Sequence, residues 1–109
     1  MNKPAAATQN DIFQAIADPT RRAILDQLRY GEQPVKQLAE PFSISLPAIS
    51  QHLKVLCQAG LVTQKRFGRQ RLYQLNPEPL KQVSNWVIHY EQFWNKKLDA
   101  LDGYLEETR

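Results

Sequence analysis

The apolar positions of the first sixty residues recur with the period of α-helices. This pattern predicts four short helices, which span Asp11–Ala17, Pro19–Tyr30, Pro34–Glu40 and Leu46–Ala59. Their expected buried positions are Ile12, Phe13, Ile16, Ile24, Leu25, Leu28, Val35, Leu38, Ala39, Ile49, Leu53 and Leu56. Asp18 and Ser45 can cap the second and fourth helices, and a proline suited to the first turn follows each of them. Gly31 and Gly60 supply stops after the same two helices.

After Gly60 the pattern changes to that of β-strands. Leu61–Phe67 and Gln70–Leu75 are predicted as two strands joined at Gly68-Arg69, where glycine can adopt the positive φ of a tight hairpin. A long helix over residues 80–105 follows. The predicted fold is mainly α with a small β-hairpin, in the order α-α-α-α-β-β-α. We expect one domain over residues 1–109, with residues 1–9 as a flexible lead.

The third and fourth helices are joined by a tight turn at Phe42–Ile44, as in a helix-turn-helix that presses its second helix into a DNA groove. With the hairpin as a wing, the prediction becomes a winged helix-turn-helix. The face opposite the apolar stripe of the fourth helix contains no acidic residue and comprises Pro47, Ala48, Ser50, Gln51, His52 and Lys54. Gln51 can pair with adenine, Ser50 with a base or phosphate, and Ala48 with a thymine methyl group.

Other residues near this helix allow two interpretations. Lys54 and Ser45 are expected to hold phosphates. His52 could contact DNA or pack between helices. Arg21 and Arg22 could reach phosphates, but Asp18 and Asp26 are nearby partners and favour ion pairs within the domain. A polar surface on an ordinary core helix would show much of the same pattern.

Basic residues are concentrated in the predicted DNA-binding half. The chain has 14 Lys and Arg against 11 Asp and Glu, yet no acidic residue lies between Glu40 and Glu78, a segment with a charge of +5. In the hairpin, Arg66 is predicted to lie opposite Arg71, a repulsive pair that a bound anion would relieve. The wing residues expected to contact DNA are Lys65, Arg66, Arg69, Gln70 and Arg71, with Arg69 near a minor groove. A solubilising surface hairpin is the alternative.

The last helix has an apolar stripe close to a heptad repeat. Its members are Leu80, Val83, Val87, Tyr90, Trp94, Leu98, Leu101 and Leu105, widened by Trp86 and Phe93. One small domain cannot easily cover so long a face, so this helix is predicted to pair with a second subunit. The alternative is a helix wrapped entirely around its own core. A homodimer would place two reading helices about 34 Å apart, on successive major grooves.

The sequence offers little for other function classes. It has no apolar run long enough for a membrane span or signal peptide, and its one cysteine, Cys57, fits a reducing cytoplasm. No nucleophile–base arrangement, phosphate loop or metal-ligand cluster indicates an enzyme, and no cofactor is expected. Cys57 could report oxidation, but its place near the end of the helix favours a buried, inert thiol.

Three segments carry a resemblance to a known family. IADPTRRAILDQL (Ile16–Leu28), ISLPAISQHLKVLCQAGLV (Ile44–Val62) and GRQRLYQLN (Gly68–Asn76) look like the arsenic-repressor type (ArsR-like) of bacterial winged-helix regulators. The resemblance implies a dimeric, mostly helical protein whose fourth helix and wing contact operator double-stranded DNA. It also implies repression as the usual outcome. A winged-helix module that binds protein instead of DNA is the competing hypothesis.

One departure from that family concerns metal sensing. The metal-sensing members carry a Cys-Val-Cys motif in the segment similar to EQPVKQL (Glu32–Leu38), where this chain has Pro34 and Lys36. Soft metals need thiolates or clustered imidazoles, and Cys57, His52 and His89 are well separated in sequence. We therefore expect no metal site and a member of the subgroup that does not sense metals, with an unknown effector.

Overall fold

The computed structural model describes residues 11–107, and side chains as far as Asn95. The predicted flexible lead, residues 1–9, lies outside the described residues. Helices and strands follow in the order α1 (Ile12–Ala15), α2 (Pro19–Leu28), β1 (Gln33–Pro34), α3 (Val35–Ala39), α4 (Leu46–Gln58), β2 (Val62–Phe67), β3 (Gln70–Leu75), a 3-10 turn (Glu78–Leu80) and α5 (Lys81–Glu107). The predicted mainly α fold is confirmed. None of the helices in this described part is long and apolar enough to span a bilayer.

Local capping signals fix where the helices begin. The Asp18 carboxylate accepts a hydrogen bond from the Arg21 amide at 3.0 Å, and the Ser45 hydroxyl accepts one from the Ala48 amide at 3.2 Å. Each side chain satisfies one of the amides that a helix start leaves unpaired, and a proline occupies the first turn in both cases. The two predicted caps are confirmed.

The sheet has one strand more than predicted. Its strand order is β1-β3-β2, and both pairings are antiparallel. In the hairpin the predicted pairing of Arg66 with Arg71 is confirmed, and Gly68 turns with a φ of 65°. The third strand, β1, pairs Pro34 with Leu72, and Pro34 is also the N-cap of α3, so the predicted third helix begins one residue later than expected. A strand of two residues is too short to leave a periodic signal in the sequence.

The core lies between the short helices and the base of the hairpin. Its fully or nearly fully buried apolar residues are Ile12, Ala15, Ile24, Leu25, Leu28, Leu38, Ile49, Leu53, Leu56, Leu61 and Val62. Ile16, Val35 and Ala39 are partly buried against it. The prediction that Phe13 belongs to this core is wrong, since its ring is 38% exposed. Helix α1 is a single turn, and Phe13 instead meets Trp86 of α5 edge to face, with ring centroids 5.6 Å apart.

A junction after α4 sets the direction in which the chain continues. Gly60 has a φ of 80°, and its carbonyl accepts a hydrogen bond from the Asn76 side chain at 2.8 Å. The Asn76 amide donates to the Leu61 carbonyl at 2.7 Å. These bonds join the end of α4 to the end of β3, and so fix the direction in which the chain leaves the hairpin.

Candidate nucleic-acid interface

Helix α4 buries one face and leaves the other accessible. Ile49, Leu53 and Leu56 are at most 1% exposed, which anchors the helix on the core. On the remaining surface Pro47, Ser50, Gln51 and Lys54 are exposed, while Ala48 and His52 are half-buried. Ser45, also exposed, uses its hydroxyl to cap the helix. The structure thus brings together on α4 and its N-cap all seven residues expected there. Their surface offers hydrogen-bonding groups and contains no acidic side chain.

Two arginines of the hairpin lie on the sheet face that turns toward α4. Paired residues of antiparallel strands share a face, so Arg66 and Arg71 lie on the same face as Val62, which is buried in the core. A cleft of about 330 Å³ on this face is lined by Ser50, Lys54, Cys57 and Gln58 of α4 together with Gln64 and Tyr73 of the hairpin. Arg71 also donates to the Gln64 amide oxygen at 3.4 Å. The two arginines therefore extend the accessible surface of α4.

Lys65 occupies the opposite face of the hairpin. Its ammonium group lies 3.1 Å from a carboxylate oxygen of Glu32, just before β1. This partner could not be predicted from the sequence, because Glu32 and Lys65 are more than thirty residues apart and meet only through the sheet order β1-β3-β2. Exposed pairs of this kind contribute about 0–1 kcal/mol, so the bridge reduces the free positive charge of Lys65 without holding it rigidly. Arg69 and Gln70 are exposed at the hairpin turn.

Arg21 and Arg22 are held by backbone carbonyls rather than by carboxylates. Arg21 donates from Nε to the Ala15 carbonyl at 2.7 Å and from Nη2 to that of Gln14 at 3.1 Å. Arg22 donates to the carbonyls of Ile16 and Ala17. Within the described side chains neither arginine forms the predicted ion pair with Asp18 or Asp26, so that prediction is wrong. These carbonyls lie at the end of α1 and in the turn that follows it, next to the start of α2, and they are the acceptors that the two arginines reach.

His52 is drawn into the same cluster. Its Nδ1 lies 3.3 Å from Nη1 of Arg21 and 3.9 Å from a carboxylate oxygen of Asp18. The hydrogen bond from the Arg21 amide lowers the pKa of Asp18, and the nearby side chains of His52 and Arg21 act in the same direction. His52 therefore packs between helices, as one of the two interpretations expected, while part of its ring stays accessible.

Cys57 lies half-buried at the cleft between α4 and the hairpin. Burial raises the pKa of its thiol, so the reactive thiolate is disfavoured at neutral pH. Among the side chains of residues 11–95, no group of three or more His, Cys, Asp and Glu is placed to hold a metal ion.

Helix α5 carries an open aromatic surface. The first residues of the predicted seam, Leu80 in the 3-10 turn and Val83 in α5, pack against the domain's own core. Farther along, the exposed fractions are 52% for Trp86, 61% for Ile88, 46% for Tyr90, 59% for Phe93 and 52% for Trp94. Trp86 stacks edge to face with Tyr90 at 5.4 Å. Val87 is half-buried, and the side chains of Leu98, Leu101 and Leu105 lie outside the described residues. Ile88, which is absent from the predicted stripe, is exposed on a different side of the helix, because residues two positions apart lie about 160° from each other around the helix axis.

Comparison with known proteins places these features in context. The profile of a family described as "Helix-turn-helix domain" matches residues 16–65. The chain is 43% identical over 81 residues to the transcriptional repressor SdpR of Bacillus subtilis, covering 74% of this chain and 90% of that protein. It is 43% identical over 94 residues to the HTH-type transcriptional regulator Rv2034 of Mycobacterium tuberculosis, covering 86% and 82%.

Solved structures agree with this similarity. The crystal structure of an ArsR family transcriptional regulator superposes with a TM-score of 0.68 at 38% identity, covering 77% of this chain and 92% of the other. A possible transcriptional regulator for arsenical resistance gives 0.65 at 45% identity, covering 82% and 90%.

Proposed function

Because the chain belongs to the ArsR-like family of helix-turn-helix transcriptional regulators, we propose that it represses transcription by binding operator DNA as a homodimer. The observation that carries the proposal is the position of Arg66 and Arg71 on the hairpin face that turns toward the acid-free surface of α4. Such a surface suits a polyanion whose groove accepts a helix and whose backbone accepts the adjoining cations. The same proposal assigns no catalytic step and places the protein in the cytoplasm, with its DNA.

In this proposal α4 enters the major groove. The amide of Gln51 pairs with an adenine edge, Ser50 donates to a base or a phosphate, and Ala48 meets a thymine methyl group. Lys54 and the first turn of the helix, with Pro47 and the Ser45 cap, lie along the phosphate backbone. The burial of three leucine and isoleucine side chains behind this face supports the assignment, because a rigidly packed helix loses little freedom when it binds.

The hairpin supplies the second contact. Arg66 and Arg71 are direct neighbours across the two strands, so their charges repel each other in the free protein. A phosphate between them removes that repulsion and gains two charge-assisted hydrogen bonds. Arg69 and Gln70 at the turn approach the neighbouring minor groove, and Lys65 reaches a phosphate only after it leaves Glu32.

The dimer in this proposal forms through α5. Exposed aromatic side chains on one face of a helix are costly in water, and in a two-fold dimer the same face of the partner's helix covers them. The seam comprises Leu80, Val83, Val87, Tyr90, Trp94, Leu98, Leu101 and Leu105 as predicted, joined by Trp86 and Phe93. The first turns of α5 also pack against the core, so a movement of the dimer seam would displace the DNA-binding half.

The test is selection of bound sequences from a random DNA pool, followed by footprinting and a salt titration of binding. We expect a site with two-fold symmetry and an affinity that falls steeply as salt rises. Arg66→Ala and Arg71→Ala should each lower the slope of log affinity against log salt by about one. Arg29→Ala, which removes an equal charge beside Tyr30, is the matched control and should leave the slope unchanged. No preferred sequence and a flat salt response would refute the proposal.

A further inference from the structure

The reading helix carries a histidine whose inner nitrogen is occupied. Nδ1 of His52 lies 3.3 Å from Nη1 of Arg21, and the His52 side chain is 23% exposed. No hydrogen bond to the other ring nitrogen, Nε2, is formed within residues 11–95. The ring is therefore fixed on one side by α2 and keeps a hydrogen-bonding position free on the other.

The chemistry of Arg21 determines which nitrogen of this ring carries the proton. A guanidinium group has five N–H donors and no acceptor, so a hydrogen bond between the two residues requires Nδ1 to accept. Neutral imidazole has one proton, which must then lie on Nε2. The Asp18 carboxylate, at 3.9 Å from Nδ1, is too distant to draw the proton back by a hydrogen bond.

Arg21 is well placed for this role because its own position is fixed. Nε donates to the Ala15 carbonyl at 2.7 Å and Nη2 donates to the Gln14 carbonyl at 3.1 Å, which leaves Nη1 directed at the histidine. The Arg21 backbone is held as well, since its amide donates to Asp18 at the start of α2. The guanidinium is thus anchored by two helices before it meets the third.

We propose that Arg21 is a positioning residue that holds His52 in the Nε2–H tautomer, so that α4 presents a hydrogen-bond donor to DNA. The acceptor is a phosphate oxygen or an acceptor atom on a base edge, and this part rests on the proposed function. Without Arg21 the ring would exchange between two tautomers and rotate, and the donor would be present for only part of the time.

The tautomer is tested first, in the free protein and without DNA. Nitrogen NMR of the two imidazole rings at about pH 8, where imidazole is neutral, distinguishes the two forms. His52→Gln assigns the signals, since His89 is the only other histidine. His89 is the internal comparison, because its Nδ1 lies 3.3 Å from the Trp86 carbonyl, which can only accept, and so favours the opposite tautomer. We expect Nε2–H at His52, and a dominant Nδ1–H form there would overturn the proposal.

DNA binding then tests the donor itself. His52→Ala removes it and should weaken binding about tenfold, whereas His52→Gln keeps an amide donor at a similar reach and should stay within about threefold. A loss shared by all sequences identifies a phosphate acceptor, and a loss confined to one base pair identifies a base. If His52→Ala binds as tightly as the unaltered protein, the proposed donor does not exist.

A double-mutant cycle separates positioning from plain structural support. Arg21→Met keeps the aliphatic stem without donors and should weaken binding in the His52 protein, yet much less in the His52→Gln protein, where no tautomer needs fixing. Equal losses in both backgrounds would overturn the positioning role. If the protein binds no DNA at all, the proposed function fails while the tautomer result still stands on its own.

Discussion

Replacing Trp86 with alanine tests whether the open face of α5 is a subunit interface. Trp86 is 52% exposed in one copy of the chain and stacks on Phe13 and Tyr90. In a two-fold dimer each interface residue occurs twice, so one substitution removes two indole rings from the seam.

The expected magnitude follows from the exposed area. A tryptophan side chain buries up to about 250 Å², so roughly 130 Å² of Trp86 is available for a partner. At about 25 cal/mol per Å², full coverage stabilises the dimer by about 3 kcal/mol per ring and about 6 kcal/mol for both. If the partner covers only half of this exposed area, the two rings together stabilise the dimer by about 3 kcal/mol. The dissociation constant of the dimer should therefore rise by about 10² to 10⁴.

Sedimentation over a range of protein concentrations measures this constant directly. Tyr30→Ala is the matched control, because Tyr30 is 81% exposed, lies just beyond α2 and stacks on Arg29 rather than on α5. It should leave the constant unchanged. Circular dichroism reports whether each variant is folded, since Trp86→Ala also loses two ring contacts within its own subunit. A folded Trp86→Ala protein that dimerises within threefold of the unaltered chain would refute the reasoning.

Four further predictions concern stability, reactivity and charge. Leu53→Ala should destabilise the fold by about 2–5 kcal/mol in denaturant titrations, since its side chain is 1% exposed, and a loss below about 1 kcal/mol would contradict the packing described. Asp18→Asn keeps a capping oxygen but removes the charge. Because folding lowers the pKa of Asp18, its carboxylate stabilises the fold at pH values above the ordinary pKa of 3.8. This stabilisation is lost as pH falls through the lower folded pKa, so unfolding curves of the two proteins should converge in acid, and a constant difference would argue against it. Cys57 should react with iodoacetamide more slowly in the folded protein than in denaturant, because burial raises its pKa; equal rates would show an accessible thiolate. Glu32→Gln frees Lys65 and should tighten DNA binding by up to about fivefold at low salt, while weaker binding would indicate that the bridge positions Lys65 for the contact.

Local signals in the sequence account for most of the secondary structure. Asp18 and Ser45 cap their helices because a short acceptor side chain lies beside unpaired amides, whatever the rest of the chain does. Gly68 forms the hairpin turn, and the position of the turn sets the register of the two strands, which pairs Arg66 with Arg71. The acid-free surface of α4 is also a local property, since it needs only the helical period.

Contacts between distant segments could not be predicted in the same way. The two-residue strand β1 has no periodic signal, and yet it brings Glu32 within reach of Lys65 and so gives that lysine an acidic partner. The acceptors of Arg21 could not be predicted either, because they are backbone carbonyls of Gln14 and Ala15, and a backbone carbonyl has no signature in residue identity.

The sequence by itself determined the helices, the hairpin register and the apolar stripe of α5, because each depends on neighbours a few positions away. Only the tertiary structure decided how that stripe is divided, with Leu80 and Val83 packed on the domain and the residues from Trp86 to Trp94 open. It also decided that Nδ1 of His52 meets Arg21 across thirty-one positions. The physical reason is that the periodicity of a sequence indicates which residues are buried, whereas the packing of helices and strands against each other determines which groups each buried residue contacts.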